Sequence, residues 1–322
     1  CWAHNKVEGS QSYTTLLYVP KTAPMDMMLQ RDERTGLRLY VNRVFIMDAA
    51  QSLLPHYLRF IRGVVDSSDL PLNVSRELLQ ENELVGKIRA AVIRRSLDLF
   101  AKLAKDDSEK YASFWDQFGV VIKEGVAEDF ANRERIAPLL RFSSTLSDGD
   151  QAAVDLKTYK ERMKEGQSAI YYIAGDDAAK IAQSPHLEGF KAKGVEVLLL
   201  SDHVDEFWLQ HITEFEGKPL KSITRGAADL DGIETDGEAS ANEKAKDEAD
   251  LSALIAAIKA ALGEAVKDVR PSARLTDSPV CLIADEGDMD VNLERLLKRH
   301  GQLQNGMPRV LELNPSHPLI TR

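Results

Sequence analysis

Apolar positions change their period several times along the chain, and each change marks an element. Tyr13–Val19 is rich in Thr, Leu, Tyr and Val and stops at Pro20, which predicts a strand. Leu37–Met47 places Leu37, Leu39 and Val41 on one side and is predicted as a second strand. Gln51–Val65 carries Leu54, Leu58, Ile61 and Val65 at helical spacing. A long helix follows, with Leu84, Ile88, Val92, Leu99 and Leu103 as its apolar positions. Tyr111–Phe142 predicts two more helices, broken near Gly125. From Ser168 the pattern is strand (168–174), helix (177–183) and strand (195–201), a βαβ unit with a parallel pair. Thr213–Pro219 predicts an exposed hairpin or turn. Beyond residue 250 come a helix over 251–262, strands near 265–269 and 280–284, a helix over 289–299 and a strand over 309–313.

Charge adds a boundary to this order. Gly226–Asp250 holds nine acids against Lys244 and Lys246, with too few apolar residues for a packed core, and is predicted as a linker. The whole chain of 322 residues has a formal net charge of -10, which argues against nucleic acid or an anionic membrane surface as partner. No window approaches the apolar length of a membrane span. Cys1 and Cys281 make neither a CxxC pair nor a disulfide framework, and a reducing cytoplasm is the expected compartment. The start at Cys1, with no initiator methionine and no signal-peptide pattern, is expected to be that of a fragment of a longer protein.

The strongest candidate chemistry lies in Asp66-Ser67-Ser68-Asp69-Leu70-Pro71-Leu72-Asn73-Val74-Ser75-Arg76-Glu77-Leu78-Leu79-Gln80. This turn-rich loop runs into a helix start for which Ser75 is a good N-cap. Arg76 and Gln80, four apart, share one helical face. A guanidinium at a helix N-terminus suits a phosphate, donated to in the manner of an arginine finger, with Gln80 ordering a phosphate oxygen or a water. The plain alternative is a surface pair on a solvated helix. No Walker motif, GxGxxG or Gly-x-Ser-x-Gly occurs. Gly175-Asp176-Asp177 follows a strand, but two carboxylates repel phosphate and point to a helix cap. His203 and His211 fit no zinc spacing, so no metal site is expected.

Phe207 and Trp208 adjoin Asp205 and Glu206, and neighbours in a helix cannot both face one core. At least one ring is expected at the surface, where it would suit protein binding. Met289, Leu293 and Leu296 recur at helical spacing and form either a buried face or a soft contact surface. Met25, Met27 and Met28 pose the same alternative in a loop.

The runs 39–46 (LYVNRVFI) and 63–77 (GVVDSSDLPLNVSRE) resemble the heat-shock protein 90 chaperones, and 169–173 (AIYYI) and 214–218 (EFEGK) extend the resemblance. Residues 115–119 (WDQFG) and 123–125 (KEG) match the family's bacterial form. The resemblance implies α/β architecture: two αβα sandwich subdomains joined by a helical segment, then a small mixed α/β module. Residues 1–236 would be the middle domain (large subdomain about 1–110, helical connector about 111–165, small subdomain about 166–236). Residues 237–322 would be a truncated C-terminal domain without its final dimerisation helices. The resemblance further implies that Arg76, with Gln80 and Asn73, completes the ATP site of an N-terminal domain. Phe45 would help dock that domain. Glu206, Phe207, Trp208 and Gln210, with Met289, Leu293 and Leu296, would form client-binding surfaces. The implied whole is a cytoplasmic, homodimeric chaperone using ATP and Mg²⁺, acting on partly folded proteins. The chain alone is expected to hold no cofactor and hydrolyse no ATP. A non-enzymatic binding module or scaffold is the alternative, and a small-molecule enzyme built on the βαβ unit rests on fold analogy alone.

Overall fold

The computed structural model describes residues 1–9, 12–24, 36–48, 51–71, 82–147, 153–226, 230, 233 and 248–321. The chain divides into two compact units, Cys1–Arg141 and Phe142–Arg322.

In the first unit, β1 (Trp2–Val7), β2 (Tyr13–Tyr18), β3 (Leu37–Val41), β4 (Val44–Met47) and β5 (Arg62–Ser67) form one sheet in the order β1-β2-β5-β3-β4. β3 and β5 are parallel and the other pairs antiparallel. Leu17, Leu37, Leu39, Val41 and Val65 are buried on one face, as period-two patterning requires. Two long helices follow, α1 (Glu83–Asp106) and α2 (Ser108–Glu128). Asn82 caps α1 by accepting the N–H of Leu84 at 2.8 Å, and Asp107 caps α2 by accepting that of Lys110 at 3.1 Å. Phe60, Phe100, Phe114 and Phe118 interlock beside them, with Phe60 stacked on Phe118 at 4.5 Å between centroids.

Four expectations change here. Leu37–Met47 is a hairpin rather than one strand, because Asn42 (φ 50°) and Arg43 (φ 67°) make a left-handed two-residue turn. Gln51–Val65 is not one helix. Pro55 lacks an N–H and disfavours helix before it, so short 3₁₀ turns at Gln51–Leu53 and His56–Leu58 lead into β5 instead. Gly63 seals that outcome: at φ 149°, any Cβ would fall 1.9 Å from the Leu16 carbonyl oxygen. α2 runs through Gly125 unbroken, and a Cβ there would meet the Tyr57 ring at 2.5 Å. The glycine weakens the helix locally but admits that ring. In α1 the buried stripe is Val85, Ile88, Val92, Ile93, Leu97 and Phe100, and Leu84, Leu99 and Leu103 are half-buried at its margin. The segment Trp2–Val7 is also a strand, which the apolar pattern did not signal.

A short helix, α3 (Arg133–Ile136), closes the first unit. The second unit contains β6 (Ser143–Ser144), α4 (Leu156–Glu161), β7 (Ile170–Ala174), α5 (Ala178–Ala182), α6 (Glu188–Ala192), β8 (Leu198–Leu200), α7 (Asp205–Trp208), β9 (Glu214–Phe215) and β10 (Lys218–Ser222). Its sheet has the order β6-β8-β7-β10-β9, with β7 parallel to both β8 and β10. The expected βαβ unit and the 213–219 hairpin are both present. Tyr171, Ile173, Phe190, Val195, Val197 and Leu199 make the core. Then come α8 (Glu248–Leu262), β11 (Val266–Pro271), β12 (Val280–Ile283), α9 (Val291–Arg299) and β13 (Arg309–Leu313). The three strands pair in the order β11-β13-β12 over a small core of Leu275, Cys281, Ile283 and Val310. The whole is the mixed α/β architecture expected from the sequence.

This last module is welded to the preceding sheet. Ala284 donates its N–H to Thr224 and accepts from Gly226, each at 2.9 Å. Asp290 accepts from the hydroxyls of Ser222 and Thr224, at 2.5 and 2.7 Å. Glu188, at the start of α6, accepts the N–H groups of Thr276, Asp277 and Ser278.

Candidate protein-binding site

The one-turn helix α7 is oriented by Asp205. Its buried carboxylate accepts the Trp208 Nε1–H at 2.7 Å and the Asp202 N–H at 3.0 Å. This draws Trp208 inward to complete burial, with its ring centroid 5.4 Å from that of Phe142. Phe207, one residue earlier, must then point outward, and it is 53% exposed. Of the two adjacent rings, Phe207 is the one at the surface. Gln210 is exposed and its side chain donates to the Glu206 carbonyl at 3.2 Å.

Glu206 is only 6% exposed. One carboxylate oxygen accepts from Asn292 Nδ2 at 2.7 Å, so the first turn of α9 is bound directly to α7. Burial pushes the Glu206 carboxyl up to about 7, the Asn292 bond opposes this, and Asp290, Asp205 and Asp176 add repulsion. Met289, Leu293 and Leu296 are half-buried. The buried member of α9 is Glu294 instead. The structure thus places Phe207 and the apolar residues of α9 on two elements joined through Glu206 and Asn292.

A pH dependence follows. A carboxyl that binds its proton more tightly when folded stabilises the fold fully below about 4.5 and loses that contribution as pH rises through about 7. Glu206→Gln keeps an acceptor for Asn292 and removes the ionisation. It is expected to match the parent at pH 4.5 and to exceed it by up to about 3 kcal/mol at pH 8, as read from urea melts at the two pH values.

In the first unit, Phe45 is 54% exposed on the edge strand β4, edge-on to Tyr40 at 5.6 Å between centroids. Asn73, Arg76 and Gln80 lie outside the described residues, as do Met25, Met27 and Met28. The approach to the loop is fixed. Ser68 donates its N–H to the Ser12 carbonyl at 3.1 Å, Asp69 accepts the Ser12 N–H at 2.6 Å, and Leu70 is buried. Beside it lies a cleft lined by Lys6, Glu8, Asn42, Arg43 and Asp66, with charges of both signs.

Asp177 accepts the N–H of Lys180 at 3.1 Å and caps α5, as the two-carboxylate argument expected. Among the described residues, one group has metal-ligand proximity, His56 with Glu124 and Glu128, and sequence spacing did not signal it. Arg59 already engages two of the three, donating to both Glu124 oxygens and lying 3.0 Å from His56 Nδ1. The cluster is an ion-pair network whose cation is a guanidinium.

No helix of the described residues is long and apolar enough to cross a membrane. The family model described as Hsp90 protein matches residues 1–322. The chain is 64% identical over 319 residues to the chaperone protein HtpG of Roseobacter denitrificans, covering 99% of this chain and 51% of that protein. It is 53% identical over 321 residues to HtpG of Coxiella burnetii, covering 100% of this chain and 50% of that protein. The chain therefore spans about half the length of these relatives. Among solved structures, the middle domain of a Plasmodium falciparum heat shock protein superposes with a TM-score of 0.61 at 33% identity, covering 69% of this chain and 87% of that one. The chain belongs to the Hsp90 family of chaperones.

Proposed function

We propose that this chain forms the middle domain and the start of the C-terminal domain of an ATP-dependent chaperone that binds and remodels partly folded proteins. The observation that carries the binding role is the outward Phe207 ring on α7, tied through Glu206 and Asn292 to the half-buried apolar residues of α9. An exposed aromatic beside adaptable Met and Leu side chains suits chains with unburied apolar segments and no fixed shape. In this reading Phe207, Gln210, Met289, Leu293 and Leu296 touch the client, and Trp208 and Glu206 hold the surface in place. Arg76, with Gln80 and Asn73, completes the ATP and Mg²⁺ site of the N-terminal domain, and Phe45 helps that domain dock. The whole protein works as a cytoplasmic homodimer. The chain alone binds no nucleotide and turns over no ATP.

The test uses the full-length protein and a permanently unfolded, alkylated test protein. Phe207→Ala and Met289→Ala are each expected to weaken binding by about fivefold or more, the loss of an interface hot-spot side chain, with ATP turnover retained. Binding unchanged in both variants would refute the surface. Normal ATP turnover after loss of Arg76 would leave the alternative, a binding module without a catalytic contribution.

A further inference from the structure

An amphipathic helix ordinarily buries its apolar stripe and leaves its charges in water. α9 leaves Arg295, Lys298 and Arg299 in water as expected but departs from this rule at its most buried position. Val291, Leu293, Leu296 and Leu297 are only half-buried, and the buried side chain is the carboxylate of Glu294. Glu294 is met there by three partners. Arg309, the first residue of β13, forms an ion pair with Oε2, and Lys298 reaches Oε1 at 2.7 Å. The Met307 N–H also donates to Oε1, at 3.3 Å. The Arg309 guanidinium has a second hold: it donates to the Met289 carbonyl at 2.8 Å. One partly buried cation therefore grips both the residue before the helix cap and the middle of the helix.

We infer that the Glu294–Arg309 pair is a positioning device that sets the rotation of α9 about its own axis and keeps its apolar residues only half-buried. The inference rests on the binding surface proposed above and names what holds that surface open. Two attachment points on one side of a helix remove its freedom to roll. Without them the leucines have somewhere better to go, because apolar area leaves water whenever the helix turns its stripe inward. A buried ion pair is a poor choice where stability alone is at stake, since apolar residues of similar volume hold such a position as well or better. It is a good choice where one orientation must be specified, because the carboxylate cannot leave its cation and the helix cannot turn without breaking the pair. Asn292, fixed to Glu206, restrains the same turn of the helix.

The test compares the parent with Glu294→Leu/Arg309→Leu, which removes both charges and strands neither, and with Arg309→Lys, which keeps a cation able to reach both Glu294 and the Met289 carbonyl. Each is made in the full-length protein carrying Cys1→Ser and Leu297→Cys, a position outside the proposed client contacts, since Cys281 is buried. Two readouts are taken: the rate of thiol labelling at position 297, and affinity for the permanently unfolded test protein. In the double-leucine variant, labelling is expected to change at least fivefold and affinity to fall at least fivefold, with thermal stability retained. Arg309→Lys is expected to stay close to the parent in both. Labelling that changes while affinity holds would uphold the positioning role and overturn α9 as a binding surface. Labelling unchanged in a stably folded double-leucine variant would overturn the inference, and a change in Arg309→Lys as large as in the double-leucine variant would do the same.

Discussion

Arg76→Ala in the full-length protein is expected to lower the turnover number for ATP by about a thousandfold, roughly 4 kcal/mol of transition-state stabilisation. The figure follows from the work assigned to the residue. Charge spreads over the equatorial oxygens as the phosphoryl group transfers, and a guanidinium donates to two of them at once. That interaction strengthens in the transition state, so the turnover number should fall far more than the affinity for ATP. Arg76→Lys keeps the charge and loses the fork, and should land between the parent and alanine. Steady-state hydrolysis at saturating ATP measures this directly. A turnover number within threefold of the parent for Arg76→Ala would remove the residue from the chemistry. The described residues on either side of this segment are held: Ser68 and Asp69 bond to Ser12, next to β2, Leu70 is buried, and Asn82 caps α1.

How much of this was legible from residues alone depended on how local each cause was. β13 was readable at its observed ends, because Val310, Leu311 and Leu313 lie between Pro308 and the Asn314-Pro315 break. Asp177 was readable as a cap because capping involves only the next three residues. The β3–β4 hairpin was missed because its turn is Asn42-Arg43, without the glycine that marks such turns. Gly125 misled because its need lies with Tyr57, far away in sequence. At Phe207 and Trp208 periodicity required one ring outward, and the Asp205 hydrogen bond decided which. In α9 the spacing of Met289, Leu293 and Leu296 could not distinguish a buried face from an open one. The deciding residue, Arg309, lies on another element and acts on Glu294, which the apolar pattern ignores. Arg76 was singled out by the loop pattern, its ATP-site role came from the family resemblance, and it lies outside the described residues.

The weld between the sheet of β6 to β10 and the last module gives the second large effect. Arg274, 1% exposed, donates to the carbonyls of Ile223 and Gly226 and pairs with Glu312 at 2.9 Å. The packing is close on its other side, since a Cβ on Gly189 would come within 2.8 Å of the Arg274 backbone. Arg274→Ala leaves two carbonyls without this donor and a buried Glu312 carboxylate facing the partly exposed Arg270. Losing one member of a buried pair costs about 3–5 kcal/mol, which is comparable to a large share of a typical domain's stability. Because Arg274 bonds across the joint, the loss should be concentrated there. Chemical denaturation of Arg274→Ala is expected to split into two transitions, the earlier one belonging to residues 248–321. Arg274→Met/Glu312→Leu removes the orphaned charge along with the arginine and should recover more than half of the loss. A single transition in Arg274→Ala, displaced by less than about 1 kcal/mol, would mean that the backbone pairing of Ala284 with Thr224 and Gly226 holds the joint without the buried arginine.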